Sequence, residues 1–351
     1  MDAPFSPHEV SLRTRVSKMP IFAAVIVAIV ALAAASAALV RAPEPLTAVP
    51  ETKTVLVIKN PPALDVVWEH FRSGMKSEGF EEGANVRYVV MEVGGDLAAT
   101  KRTLSPVLET GRVDLVFTMG ITATRAAKEV TDDLGIHTPV LFAVVSDPVG
   151  GGLVASLESS GNNMTGVTPA NERAASKRLE LLQTALPDIK RIVYGWNDEK
   201  TAGLSGLRMI TPSLGLELVE RKVVSAGEMR SFLQTFTYNE GDAILRASDG
   251  IGAATVVDAV AIAREKKVPL VGTNSGDAER GAFMSYGADY AKIGVQAARL
   301  AGEILRGVQP SDIPIEEAVT FETSVNTATA RAIGIELPQS FLLQVSHVYE
   351  N

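Results

Sequence analysis

Cysteine is absent from this chain of 351 residues, and aromatic residues make up only 5% of it. Without cysteine there can be no disulfide, no thiolate nucleophile, no cysteine-ligated zinc and no lipid-modified cysteine. So few aromatic side chains argue against a sugar-binding lectin and against a protein that stacks on nucleic-acid bases. Glycine is frequent instead, with 29 residues, which suits an α/β protein with many short turns.

Positive charge is also scarce. The chain has 33 Lys and Arg residues against 41 Asp and Glu residues, a formal net charge of −8. The first 41 residues hold four of these cations and two of the acids, so the remainder has 29 against 39, a net −10. Because a body this acidic repels phosphate backbones, we expect no nucleic-acid partner.

The motifs of common catalytic and metal sites are missing as well. The histidines are His8, His70, His137 and His347, and none of them forms an H-x-x-x-H or H-E-x-x-H pair. The chain contains no G-x-x-x-x-G-K-[ST] phosphate loop, no G-x-G-x-x-G after the first predicted strand and no G-x-S-x-G elbow. We therefore predict that the protein is not an enzyme and uses neither a cofactor nor a metal.

One long uncharged segment occurs near the N-terminus. Residues 21–40 carry no charge, follow three cations and precede a proline-rich stretch. Twenty apolar residues in a helix span about 30 Å, the thickness of the hydrocarbon core of a bilayer. Because basic flanks stay on the cytoplasmic side, we interpret 1–20 as a cytoplasmic basic segment, 21–40 as a signal peptide or an uncleaved transmembrane anchor, and 41–51 as a linker. The body would then lie in the periplasm or on the outer face of a bacterial inner membrane.

The remaining sequence alternates short β-branched runs with amphipathic helical patterns. In the first helix, apolar residues recur at helical spacing from Leu64 to Met75, which places Trp68 in the core, and Gly79 ends the helix. Strands that alternate with helices predict parallel sheets with right-handed crossovers. The predicted strands are 54–59, 86–93, 114–120, 139–145, 191–196, 216–223, 243–248, 269–273 and 282–286. The further predicted helices are 96–110, 122–134, 171–186, 199–214, 227–238, 250–266 and 289–306.

Polar residues follow several of these strands at the point where each strand ends. In open α/β sheets ligands bind beyond the carboxyl ends of the strands, so these positions are candidate ligand-binding residues. The candidates are Asn60, Gly120, Ile121, Thr122, Ser146, Asp147, Trp196, Asn197, Asp198, Asp249 and Asn274. Such groups can hydrogen-bond an amino acid or a similar solute, with an Asp facing an ammonium group and a helix N-terminus facing a carboxylate.

Four of these candidates have an alternative, structural explanation. Asp147 precedes a proline and could close its own turn, and Asn60 precedes two prolines. Asp249 and Thr122 each precede or begin a predicted helix, so either side chain could cap it. The sequence leaves both explanations open at each position.

Trp196 and Arg178 also have a structural interpretation. Trp196 could stack on a ligand at the mouth of a cleft, or it could simply pack in the core. Arg178 belongs to a set of cations scattered over helix faces, which we interpret as solvated surface.

Five sequence motifs occur in an order that is typical of one family. They are GFEEGANV at 79–86, PVLFAVVSDPVGGGLV at 139–154, GNNMTGV at 161–167, LELL at 179–182 before a Leu-Pro pair, and 281–294 with Asp289 and Tyr290. In these motifs the chain resembles the ABC-transporter substrate-binding family that includes tryptophan- and tyrosine-type binding proteins of the periplasmic-binding-protein type I fold. The resemblance covers about residues 55–338.

The resemblance implies two Rossmann-like lobes with parallel sheets, joined by a hinge of three segments. One lobe would comprise 52–165 and 281–312, and the other 168–280 and 314–351. A small-molecule solute, an amino acid or a similar polar compound, would be captured in the cleft by hinge closure and passed to an ABC permease and its ATPase. The alternative function is a membrane-anchored ligand-sensing domain that signals to a partner receptor.

Overall fold

The computed structural model describes residues 52–59, 64–94, 96–199 and 201–351. The body from Thr52 onward forms one compact unit. The segment predicted at 21–40 and its flanks lie outside the described residues, as does Asn60. Among the residues that are described, no helix has both the length and the apolar character needed to cross a bilayer.

The first of two sheets is entirely parallel. Its strands are β1 (Lys53–Lys59), β2 (Val86–Glu92), β3 (Leu115–Met119), β4 (Val140–Ala143), β5 (Met164–Thr168) and β11 (Glu316–Glu317). They are arranged in the order β11-β5-β4-β3-β1-β2. The helices of this part are α1 (Asp65–Ser77), α2 (Leu97–Glu109), α3 (Ile121–Leu134) and α10 (Tyr290–Leu305).

The second sheet contains one antiparallel pair. Its strands are β6 (Arg191–Trp196), β7 (Glu217–Lys222), β8 (Asp242–Leu245), β9 (Leu270–Gly272), β10 (Met284–Ala288), β12 (Phe321–Asn326) and β13 (His347–Tyr349). They are arranged in the order β13-β12-β10-β9-β8-β6-β7, and only the β10–β12 pair among them is antiparallel. The helices are α4 (Asn171–Ala185), α5 (Leu204–Ser213), α6 (Ala226–Thr235), α7 (Gly250–Ala254), α8 (Val256–Lys266), α9 (Gly276–Glu279), α11 (Thr327–Ile333) and α12 (Gln339–Leu342).

Apolar side chains cover both faces of the central strands, which explains the continuous apolar runs of the sequence. Along β1, Val55 and Val57 join one core, whereas Leu56 and Ile58 join another on the opposite face. The second sheet likewise separates two cores. The predicted core position of Trp68 is confirmed, because its ring packs with the first of these cores and is 9% exposed.

The segments assigned to each lobe differ from the prediction at two places. Residues 281–312 were expected in the first lobe, but β10 pairs with β9 and β12 in the second sheet, and only α10 returns to the first core. Residues 314–351 were expected in the second lobe, but β11 pairs with β5 in the first sheet. The chain therefore crosses between the sheets near 169–170, 289 and 318–320. The prediction differed because pairing between strands distant in the sequence decides to which sheet each strand belongs.

Two predicted helices also have different bounds. The segment predicted as one helix at 250–266 is two helices, because Thr255 leaves helical geometry at φ −107° and ψ 6°. The helix predicted at 199–214 begins only at Leu204, after Gly203 with φ +88°. Four strands, β5, β11, β12 and β13, were not among the strands predicted from the sequence.

The phenol of Tyr88 gives the fold a testable dependence on alkaline pH. Burial raises the pKa of Tyr88 to about 12, while a tyrosine in the unfolded chain titrates near 10. The folded state thus binds this proton more tightly than the unfolded state does. The contribution of the protonated phenol to the free energy of unfolding is therefore complete below pH ~10 and is lost as the pH rises towards ~12. We expect Tyr88→Phe to lose less stability than the wild type across this interval in urea unfolding. Identical pH profiles would contradict the assignment.

Candidate functional site

Gly120 turns the chain from β3 into α3. Its φ of +83° lies in a region that residues with a side chain rarely adopt. Its carbonyl oxygen accepts hydrogen bonds from the backbone N–H of Thr124 at 3.2 Å and from the Thr124 hydroxyl at 2.8 Å. Ile121 and Thr122 therefore form the first turn of α3, and Thr122 is not the residue that precedes the helix as its N-cap. Ile121 remains 37% exposed.

Asp147 closes its own turn beside this helix start, since β3 and β4 are paired neighbours. Its Oδ1 accepts a hydrogen bond of 2.7 Å from the N–H of Gly150, and its carbonyl oxygen accepts one of 3.0 Å from Gly151. A Cβ atom at Gly150 would lie 1.9 Å from Asp147 Oδ2, so a side chain at that position is excluded without rearrangement. The turn is thus observed, and a ligand contact by Asp147 stays a prediction.

Ser146 connects the first sheet to the beginning of α4. Its hydroxyl accepts a hydrogen bond of 2.9 Å from the Nδ2 of Asn171. Asn171 is 6% exposed and directly follows the first crossing between the sheets. Sequence reasoning missed Asn171, although its place at the start of a predicted helix, just after the predicted crossing, was an available signal.

Asp249 brings together the residues that follow β6 and β8. Its Oδ1 accepts a hydrogen bond of 2.7 Å from the N–H of Gly252 and so caps α7. Its Oδ2 accepts from the N–H of Asn197 at 3.3 Å and from the hydroxyl of Thr201 at 3.4 Å. The N–H of Asp198 donates to the same hydroxyl at 3.3 Å. Asp249 therefore holds both a helix start and the loop after β6.

Trp196 packs in the core of the second sheet and is 6% exposed. The guanidinium carbon of Arg208 lies 5.4 Å from its ring centroid, and the Nζ of Lys222 lies 5.6 Å from it. Among the described residues, the indole Nε1 has no hydrogen-bond partner. Core packing is thus the arrangement observed, and stacking on a ligand stays a prediction.

Asn274 follows β9 and lies beside a buried ion pair that the sequence analysis did not identify. Arg246, directly after β8, and Asp277, in α9, are 8% and 1% exposed, and the Nε of Arg246 lies 2.7 Å from Asp277 Oδ2. The same carboxylate oxygen accepts from the N–H of Thr273 at 2.8 Å and of Asn274 at 3.4 Å. Arg246 also donates to the hydroxyl of Thr273.

The prediction that Arg178 is solvated surface is wrong, because the residue is only 2% exposed. Its Nε donates to the carbonyl oxygen of Tyr286 at 2.9 Å, and its Nη2 donates to that of Thr273 at 3.5 Å. Burial, together with the nearby charge of Arg246, lowers the pKa of Arg178 to about 10. Two guanidinium groups therefore meet at the carboxyl edge of the second sheet.

Comparison with known proteins identifies the family of this chain. The family model for the ABC transporter substrate binding protein matches residues 53–349. The chain belongs to this family. The resemblance predicted from the sequence motifs is thereby confirmed, together with an α/β fold of two parallel-sheet lobes.

Relatives of this substrate-binding protein include several of similar length. It is 26% identical over 278 residues to the tyrosine-binding protein of Clostridioides difficile (strain R20291), covering 78% of each chain. The ABC domain in complex with L-Trp from Streptococcus pneumonia is 25% identical, with a TM-score of 0.74 over 85% of this chain and 99% of that one. A ligand-free, open substrate-binding protein with adhesive properties from Clostridium difficile is 26% identical, with a TM-score of 0.67 over 86% and 100%.

Substrate-binding proteins of this family bind small-molecule solutes, act outside the cytoplasm, and are not enzymes. In this structure the candidates among the described residues form two groups, one at the strand ends of each sheet. Gly120, Ile121, Thr122, Ser146 and Asp147 lie along the first sheet, and Asn197, Asp198, Asp249 and Asn274 lie along the second. Among the described residues, no group of three or more acidic or histidine side chains is placed to hold a metal ion.

Proposed function

We propose that this substrate-binding protein captures an amino acid or a similar small polar solute between its lobes and delivers it to an ABC permease and ATPase. The supporting observation is that polar groups lie at the carboxyl edges of both sheets, and that Ser146 at the edge of the first sheet bonds Asn171 just after the first crossing. The tyrosine-binding relative and the relative in complex with L-Trp support the class of solute.

The two edges have complementary roles in this proposal. The first turn of α3, with Ile121 and Thr122, faces the solute carboxylate, because a helix N-terminus favours negative charge. Asp249, supported by Asn197, faces the ammonium group. The crossings near 169–170, 289 and 318–320 act as the hinge on which the lobes close. Residues 21–40 direct the body to the periplasm or hold it at the outer face of the membrane.

A thermal-shift screen of the purified protein against amino acids, purines and small organic acids tests this function. A solute that binds only the folded state stabilises it by mass action, by about 2.7 kcal/mol at 100 times its Kd. We expect an amino-acid-like compound to raise the melting temperature in a concentration-dependent way. If no compound in the panel does so at millimolar concentration, the proposal of solute capture fails.

Variants of Asp249 separate ligand binding from helix capping. Asparagine is as good an N-cap as aspartate, so Asp249→Asn should keep the cap of α7 and lose less stability than Asp249→Ala, although its amide nitrogen no longer accepts from the Asn197 N–H; it should still lose most of the solute-induced shift. Asp249→Ala should lose that shift and, in addition, about 1 kcal/mol of stability. The matched control is Ser225→Ala, which removes the cap of α6, a bond of 3.2 Å from the Glu228 N–H to the Ser225 hydroxyl.

Ser225→Ala should cost a similar amount of stability as the loss of the Asp249 cap, and it should leave the solute-induced shift unchanged. Urea unfolding gives the first quantity and calorimetric titration with the solute gives the second. A full solute response in Asp249→Asn would refute the ammonium contact.

A further inference from the structure

The carboxyl edge of the second sheet buries two guanidinium groups. Arg178 and Arg246 are 2% and 8% exposed, and the carboxylate paired with Arg246 is that of Asp277, which is 1% exposed. The Nη1 of Arg280 lies a further 3.6 Å from the other oxygen of Asp277. One carboxylate thus pairs with two guanidinium groups, while the third, that of Arg178, donates to carbonyl oxygens. Because burying a charge is costly unless it is paired, this edge is suited to a further anion.

The other acidic groups near this edge hold backbone N–H groups. Asp249 caps α7, and Asp289 caps α10 by accepting from the N–H of Lys292 at 3.1 Å. The Oε1 of Glu172 accepts from the N–H of Gly203 at 2.7 Å. Among the described residues, none of these carboxylates forms an ion pair with Arg178 or Arg246.

The guanidinium of Arg246 has donors left over. It carries five N–H bonds, and three are used: Nε to Asp277, Nη1 to the carbonyl oxygen of Ala247 at 3.2 Å, and Nη2 to the hydroxyl of Thr273. Two N–H bonds on the terminal nitrogens have no acceptor among the described residues. A planar guanidinium with two unused donors matches the two oxygens of a carboxylate.

Tyr290 belongs to the first lobe. It begins α10, and its ring packs against the core of the first sheet. Burial raises the pKa of Tyr290 to about 12, the guanidinium of Arg246 opposes this rise most strongly among the charged groups, and the carboxylate of Asp277 adds to it. The phenol is therefore within electrostatic range of the guanidinium of Arg246.

We propose that Arg246 is a specificity-determining residue that binds a carboxylate of the solute. This proposal rests on the proposed function of solute capture. It requires that carboxylate-bearing compounds bind in preference to analogues of the same shape without a carboxylate. The carboxylate is either the α-carboxylate of an amino acid, which then lies at Arg246 and not at the first turn of α3, or a second one in its side chain.

Calorimetric titration with matched compounds tests this preference. L-Tyrosine against tyramine and L-tryptophan against tryptamine remove the α-carboxylate, and L-glutamate against L-glutamine removes the one in the side chain. In the wild type, we expect the acid of at least one pair to bind ten or more times more tightly than its partner, or about 1.4 kcal/mol. The pair that discriminates identifies which carboxylate is bound.

The decisive variant removes both buried charges together. Arg246→Gln combined with Asp277→Asn avoids an unpaired buried ion, and it should reduce the preference for the acid at least tenfold. Arg246→Lys keeps the charge but not the planar fork, and it should give an intermediate loss. The matched control combines Arg191→Gln with Asp242→Asn, a pair of 2.6 Å at the opposite, amino end of the same sheet. It should leave the preference unchanged.

The outcomes distinguish this inference from the function on which it rests. If tyramine, tryptamine and glutamine all bind as tightly as their acids, solute capture stands and the role of Arg246 is refuted. An unchanged preference in the folded double variant refutes it equally. If no compound binds to the wild type at all, solute capture itself fails.

Discussion

Asp277→Ala should lower the free energy of unfolding by about 3–5 kcal/mol, because it leaves the buried guanidinium of Arg246 without its counter-charge. The lost carboxylate also accepts from the backbone N–H of Thr273 at 2.8 Å, and that donor would be left buried and unpaired. Urea unfolding followed by circular dichroism measures the loss. A change of this size is a large part of the stability of most domains.

The matched control for Asp277 is Asp258→Ala. Asp258 pairs with Arg230 at 3.1 Å, but the two side chains are 43% and 50% exposed. Water screens such a pair, so we expect its removal to cost about 1 kcal/mol or less. Comparable losses in the two variants would show that the buried pair contributes no more than a surface one.

Gly294→Ala should destabilise the protein by about 2 kcal/mol, although alanine forms helices better than glycine. Gly294 lies in α10 where this helix crosses α1. An added Cβ atom would stand 2.4 Å from the carbonyl oxygen of Val67 and 2.9 Å from the backbone nitrogen of Phe71. Both atoms belong to the main chain, so the two helices would have to move apart, and the apolar contacts of the first core would loosen.

Gly227→Ala is the control, since it makes the same change at an exposed position of a helix. At Gly227 in α6, the nearest atom to an added Cβ would be the Ser225 hydroxyl at 3.8 Å. Here only helix propensity acts, so we expect a gain of up to about 1 kcal/mol in thermal or urea unfolding. The two substitutions should therefore have opposite signs. A gain in Gly294→Ala would show that the helix crossing can relax at little cost.

The individual strands of this fold are readable from sequence, but their partners are not. Each predicted strand occurs, because a short apolar run between turn residues is a local signal. The position of β10 in the second sheet and of β11 in the first depends on pairing with strands distant in sequence. No local pattern encodes such pairing, and the two-residue strand β11 is too short to show a pattern at all.

The sequence indicates which polar groups follow the strands, but not what they bind. Parallel strands place their carboxyl ends at one edge, which explains why the candidates Asn197 and Asp249 are neighbours in the structure. Whether Asp249 caps a helix or contacts a solute is not decided by sequence, since both uses need the same residue type at the same place. The structure shows the cap, and Asp249→Asn tests the contact.

Arg178 shows where a general rule misled the sequence analysis. Arginine is usually exposed, and that expectation outweighed the helical spacing of its neighbours. Arg178 nevertheless shares a face of α4 with Ala175, Leu179 and Leu182, all of which are buried. A cation in the middle of an apolar helical face indicates a buried site that supplies carbonyl oxygens, as Tyr286 does here.

The return of α10 to the first core has a consequence for biogenesis. The helix packs against α1, and more than 200 residues separate the two in the chain, while β11 joins its sheet later still. The N-terminal half cannot complete its own core while the ribosome or an export channel still holds the rest. Contacts so distant in sequence slow folding. The partly synthesised chain therefore lacks a complete packed core and remains suitable for translocation across a membrane until its final third emerges.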